Sequence, residues 1–262
     1  MPTDAPAPRA PSDDKEFMAT LAKGFALLSC FGKQRPTMTV SEAAAAASLS
    51  RAAARRILRT LAELGYLAQH GRDFSLSPNI LKLGFAYLAT QSWIDRAQPL
   101  LRELSERLQE SASAAMLEGN EIVYVVRVPT RRIMSASLAV GSRLPAFHTA
   151  LGRVLLGQLD DVEVWRRLRL SRIEAYTPST ITEPQALLER VRADHAQGFA
   201  IVDEELERGL RAIAVPVLDR EGQAVGAINV STHSARTTRN EMRDRFLPAL
   251  KSIAEQIRMS TA

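Results

Sequence analysis

Between Thr39 and Leu76 the spacing of apolar residues changes from a helical step to a strand step. Thr39 and Glu42 have capping-box spacing and lead into an alanine-rich helix former. Ser48-Leu49-Ser50 interrupts it, because short hydroxyl side chains compete for backbone hydrogen bonds. Ser50 then caps a second helix reaching about Leu64, with Ala54, Ile57, Leu58, Leu61 and Leu64 on one face. The opposite face carries Arg51, Arg55 and Arg59 at i, i+4 and i+8, with Arg56 and Ala52 beside them and only Glu63 in opposition. After Gly65, two strand-like runs (66–68 and 73–76) flank Gln69-His70-Gly71-Arg72, which predicts a hairpin with a basic tip. The whole reads as a helix-turn-helix followed by a wing.

Upstream, Phe17, Leu21, Phe25, Leu28 and Phe31 approach a helical stripe, so residues 17–78 form one small winged domain with that stripe in its core. Residues 1–16 are Pro, Ala and charged residues and read as a disordered tail. Residues 79–97 read as a linker helix ending near Thr90, and Pro99 opens a second helix from Gln98. Leu81, Leu83, Phe85, Tyr87 and Leu88 are too apolar for an exposed connector, which implies packing on the same segment of another subunit. Over 98–262 strands are expected at 122–128, 133–138, 199–202, 213–218 and 224–231. Helices are expected near 149–158, 162–168 and 184–197, the last opened by a Thr182/Gln185 box, with a loop at 141–145. Thr238 and Glu241 open a final helix, and the interleaving indicates an α+β domain.

Composition narrows the chemistry. The chain has 262 residues, 46% hydrophobic and 24% charged, enough for a small and a medium domain. Net charge is only +5, so the local set of arginines matters more than the total. A single cysteine, Cys30, excludes a disulfide framework. The N-terminus has no apolar core of a signal peptide, and no run is long enough to span a bilayer, so a cytoplasmic protein without membrane partners is expected. Four scattered histidines lack metal spacing, and no nucleophile elbow, phosphate loop or dinucleotide fingerprint is present; neither an enzyme nor a cofactor is expected.

Two binding surfaces remain. The arginine face is either a solvated charge run or a surface for a duplex, whose major groove admits a helix and whose guanines accept arginine bidentately. In Ala224 to Ser231, alternation places Ala227, Asn229 and Ser231 opposite Ile228 and Val230; the small polar face is either solvent side or the floor of a ligand cavity. Backbone N–H groups of the short helix after Thr149 would suit a carboxylate, which suggests a small organic acid.

The segments AKGFALL, SLSRAAARRILRTLAELGYL, EIVYVVRV, VGSRLPAFHTALGRVLLG, GFAIVDEELERGLRAIAVPV and GAINVSTH, in this order over about residues 17–258, resemble the IclR family of bacterial transcription regulators. The resemblance is closest to its PcaR/PobR/PcaU branch of aromatic-acid and β-ketoadipate pathway regulators. It implies a winged helix-turn-helix, a linker helix and a GAF-like effector-binding domain with an antiparallel sheet, assembled as a homodimer or homotetramer on double-stranded operator DNA. DNA contacts would come from Ser50, Arg51, Ala52, Arg55, Arg56, Arg59 and Arg72. Matching motif positions imply an effector pocket of Ile133, Ala136, Ala150, Leu151, Val202, Ala212, Asn229 and Ser231. Members that bind small keto acids have an aspartate and a cysteine where this chain has Val202 and Ala212, so an aromatic or longer acid is expected.

Overall fold

The computed structural model describes residues 16–130 and 138–260. The expected strand at 133–138, apart from Leu138, therefore lies outside the described residues, as do Ile133, Ala136 and nearly all of the expected tail. The chain divides into two compact units that meet between Thr90 and Gln91.

The first unit contains α1 (Ala19–Leu28), β1 (Thr37–Thr39), α2 (Val40–Ala46), α3 (Arg51–Glu63), β2 (Leu67–His70), β3 (Asp73–Leu76) and α4 (Leu81–Leu88). The Thr39/Glu42 capping box forms: Thr39 N donates to Glu42 Oε2 at 2.7 Å and Glu42 N to Thr39 Oγ1 at 3.3 Å. Ser48 takes a φ of +53°, and Ser50 Oγ accepts from Ala53 N at 3.2 Å, so the short polar break separates two capped helices. The wing gains an unexpected third strand, since β1 pairs with β3 from Thr37↔Ser75 to Thr39↔Asp73. The buried residues of α1 and its exit are Leu27 and Phe31, whereas Phe17, Leu21 and Phe25 are exposed, against the expectation that they fill the core. Helical periodicity marks an apolar face without saying what covers it. Leu64 is likewise exposed.

The second unit is one six-stranded antiparallel sheet, ordered β6-β5-β4-β9-β8-β7, with helices on both faces. Its elements are α5 (Ser92–Leu108), β4 (Ser111–Glu118), β5 (Glu121–Val128), β6 (Arg143–Pro145), α6 (Ala150–Leu156), α7 (Asp161–Leu170), α8 (Pro184–Gln197), β7 (Ala200–Asp203), β8 (Leu210–Leu218) and β9 (Ala224–His233). A final helix, α9, runs as Arg239–Glu241, a π-helical turn Met242–Phe246 and Leu247–Ser260, opened by the Thr238/Glu241 capping box. Three boundaries depart from expectation. The helix expected from Gln98 begins at Ser92 with Pro99 inside it. Trp93, Ile94 and Ala97 are buried there, and Gly226 lets the Trp93 ring lie where a Cβ would be 2.4 Å away; this burial outweighs the backbone bond that Pro99 cannot make. The expected loop at 141–145 contains β6, which pairs Glu121↔Pro145 and carries an Arg143–Glu121 ion pair at 2.7 Å. The N-cap of α8 is Glu183 with no side-chain cap bond, so the Thr182/Gln185 box does not form; Pro184 at the first turn has no N–H there to cap.

Alternation sorts the sheet. Ile213, Val215, Ile228 and Val230 are buried on the side of α5 and α9, which pack on each other, α5 lying on β4 and β5 and α9 on β8 and β9. Ala115, Tyr124, Val202, Ala214 and Ala227 share the other side with a cluster from α6, α7 and α8. At the seam of that side, a Cβ on Gly152 would stand 2.1 Å from the Ala146 carbonyl oxygen, a contact with backbone that cannot swing away. Gly152→Ala is therefore expected to destabilise the second unit by about 3 kcal/mol, as overpacking of a rigid site does. Chemical denaturation of the purified variant checks it, and an unchanged midpoint contradicts this packing.

Candidate functional site

In the first unit α3 buries Ala54, Ile57 and Leu58 and exposes Arg51, Ala52, Arg55, Arg56 and Arg59. The wing turn Gly71-Arg72 closes His70↔Asp73 with Gly71 at a φ of +63°, as the mirror-image two-residue turns require, and Arg72 is exposed at its tip. None of these five guanidiniums makes an ion pair among the described residues. Ser50 spends its acceptor on the helix cap, which fixes where α3 begins. The unit thus presents one short helix and one hairpin tip, both cationic and without an internal counter-charge. A polyanion of regular spacing satisfies such a surface by releasing its own counterions.

In the second unit the sheet register draws the expected pocket residues into rows. Ser111↔Ser231, Ser231↔Ala212 and Ala212↔Val202 are successive cross-strand partners on β4, β9, β8 and β7. The next row on the same face is Arg127↔Ser113, Ser113↔Asn229 and Asn229↔Ala214. Directly opposed residues project to the same side. Asn229 and Ser231 are buried, so the polar face of β9 is not a solvent face. Among the described residues, Asn229 Oδ1 has no hydrogen-bond partner. Ala150 and Leu151 of α6 are buried in the cluster that packs on this side, with Val202 and, partly buried, Ala212.

The row contains what the sequence reading missed. Arg127 is half-buried; its Nη1 donates to Ser113 Oγ at 2.7 Å, its Cζ lies 5.7 Å from the Tyr124 ring centre, and its buried Nε has no acceptor among the described residues. At the end of EIVYVVRV an arginine reads as a solvated strand terminus; only pairing with β4 turns it inward. The carboxylate site expected at the start of α6 changes accordingly. That helix has seven residues, and Thr149 Oγ1 already accepts from Gly152 N at 3.0 Å.

A buried ion network holds α6 in place. Arg153 is fully buried; its Nε donates to the Phe147 carbonyl at 2.9 Å, its Nη2 pairs with Glu205, and its Nη1 lies 3.9 Å from Asp194 Oδ2. Of the three consecutive acids at 203–205, Asp203 pairs with Arg211 at 2.7 Å, Glu204 accepts from Ser234 and Glu205 is buried. Burial raises the Asp194 carboxyl to about 6, with Arg153 opposing the rise. His148, buried with neither ring nitrogen partnered among the described residues and edge-on to Tyr176 at 5.5 Å, is pushed down to about 4 by burial and by Arg153. No group of three or more potential metal ligands occurs among the described residues, and no helix is long and apolar enough to cross a membrane.

Comparisons with known proteins find two family models along the chain. The IclR helix-turn-helix domain family matches residues 20–71, and the family described as bacterial transcriptional regulator IclR C-terminal matches residues 85–259. The Pca regulon regulatory protein of Pseudomonas putida is 42% identical over 245 residues, covering 93% of this chain and 84% of that protein. A candidate transcriptional regulator from Rhodococcus sp. RHA1 superposes with a TM-score of 0.82 at 41% identity, covering 93% of this chain and 98% of that one. The inducer-binding domain of the PobR transcription factor from Acinetobacter, solved as a double mutant with 3-hydroxybenzoic acid, is 32% identical with a TM-score of 0.58. It covers 62% of this chain and 95% of that domain.

His148 predicts a pH dependence. Its folded pKa, about 4, lies below the ordinary 6.5, so the unfolded chain takes the proton first. Its contribution to stability is complete above pH 6.5 and is lost as pH falls towards 4. Asp194, shifted the other way, opposes this over part of the same range. Relative to the parent, His148→Gln should gain about 2 kcal/mol between pH 7 and pH 4.5. Denaturation midpoints at the two pH values read it, and a difference independent of pH would contradict the buried neutral imidazole.

Proposed function

We propose, for a chain that belongs to the IclR family of bacterial transcriptional regulators, that it binds an operator through α3 and the wing and that an aromatic or related organic acid changes that binding. The observation that carries the DNA half is the exposed, unpaired set Arg51, Arg55, Arg56, Arg59 and Arg72 on a capped helix and hairpin of helix-turn-helix form. Ser50 and Ala52, at the start of α3, bring free backbone N–H groups to a phosphate. Arg55 is assigned to a base edge, and Arg56 and Arg59 to phosphates.

The acid would lie on the sheet face carrying Val202, Ala212, Asn229 and Ser231, beneath Ala150 and Leu151. Ile133 and Ala136 belong to the same proposed pocket by motif position alone. The relatives support the ligand class: one governs a Pca regulon, and another was solved with a hydroxybenzoic acid. Val202 and Ala212 leave an apolar wall that suits a ring. Two subunits are needed to match a two-fold operator, and exposed Phe17, Leu21, Phe25, Leu81, Phe85 and Tyr87 offer apolar surface for that association, as a dimer or a dimer of dimers. Such a regulator works in the cytoplasm, where the chromosome is. We assign residues 17–78 to DNA binding, 79–97 to the connection and the remainder to acid sensing, with the sensing unit's first helix already under way at Ser92.

Arg55→Ala should weaken binding to the chain's own upstream region by about 1–3 kcal/mol at fixed salt, as loss of a bidentate guanine contact does. Fluorescence anisotropy measures it, and unchanged affinity would remove α3 from the major groove. Asn229→Leu should bind the same fragment as the parent yet lose most of the response to protocatechuate or 4-hydroxybenzoate. A normal response in that variant would place the acid elsewhere.

A further inference from the structure

The half-buried Arg127 has no carboxylate counter-charge among the described residues; its partners are the Ser113 hydroxyl and the Tyr124 ring, both neutral. Its Nε is buried without an acceptor, and two places along the same row Asn229, 4% exposed, holds an unpartnered Oδ1. Arg153 on the same side of the sheet shows the alternative: it is deeper, and Glu205 and Asp194 surround it. Taking part of a guanidinium out of water carries a desolvation cost that neutral partners do not repay, and arginine cannot escape by releasing its proton. Among the described residues Asn229 thus holds a second orphaned polar atom on the same face of the sheet, which it shares with Ala115, Ala214 and Ala227.

We infer that Arg127, held by Ser113, is the carboxylate anchor that selects aromatic acids over their neutral analogues. The inference rests on the sensing role proposed above and adds to it the residue that supplies charge. The acid's carboxylate meets the Nε edge of the guanidinium, and its ring lies along the alanine floor towards Asn229. Desolvation makes such a charge-assisted pair strong. Ser113 fixes Nη1 and so orients the free edge. Val202 and Ala212, one row away, contribute only apolar wall.

Isothermal titration of the full chain with 4-hydroxybenzoate and with the isosteric 4-hydroxybenzamide tests this without any substitution. The acid should bind at least tenfold more tightly than the amide. Arg127→Met should lose at least tenfold in acid affinity while amide affinity stays within twofold, so that the preference collapses. Arg127→Lys should retain part of it. A merely structural arginine would lower both ligands together. Equal binding of acid and amide by the parent overturns the inference even if Arg127→Met fails to fold. Tight acid binding that survives in Arg127→Met overturns it while leaving the sensing role intact. If neither ligand binds and no benzoate alters operator affinity, the sensing role falls with it.

Discussion

A guanidinium keeps its proton at any pH at which a protein stays folded, so every arginine must meet water, a carboxylate or some other anion. This chain resolves that demand in three ways. Arg153 meets two internal carboxylates and a carbonyl at the centre of the second unit, where it ties α6 to α8 and to the turn after β7. Removing one member of so buried a set would strand the others, at a cost of about 3–5 kcal/mol. The arginines of α3 and the wing meet water, in an arrangement that a duplex can replace. Arg127, half-buried, pairs with no carboxylate among the described residues, and the inferred acid anchor follows from that residue together with Asn229.

The same contrast explains why the two units differ in construction. A groove-reading helix needs rigid presentation and free charge. Two caps, at Thr39 and Ser50, and a core of Leu27, Met38, Ile57, Leu58 and Phe74 supply the rigidity without spending an arginine. The sensing unit instead covers both faces of its sheet, which removes water from the polar rows of β4 and β9. An acid held there can influence DNA only if it prefers one arrangement of the assembled regulator over another; tight binding alone shifts nothing.

Much of this was legible in the residues because it obeys local rules. The two capping boxes at Thr39 and Thr238 and the break at Ser48 are each set within a few residues. What escaped depends on distant partners. β4 reads SASAAMLE, without the branched residues that mark strands, and is a strand because it lies between β5 and β9. Pro99 was read as a helix opener, whereas Trp93 seated on Gly226 extends α5 past it. Leu21 and Phe25 have helical periodicity but face outward in the single chain. At the site, Val202, Ala212 and Ser231 are far apart in sequence but fall into one cross-strand row, on positions given by family resemblance. Arg127 and the Glu205 partner of Arg153 carried no signal of their own, since charge at a strand end or in an acidic run is ordinarily solvated.

The most direct measurement is operator affinity of the unmodified chain at one fixed salt concentration, with and without a saturating aromatic acid. The two sites should be coupled, so the acid should change affinity for the upstream fragment at least fivefold, in either direction, and leave binding to unrelated duplex unchanged. Failure to prefer its own upstream region over unrelated DNA, or a preference that no such acid alters, would contradict a regulator built on uncompensated arginine at both ends.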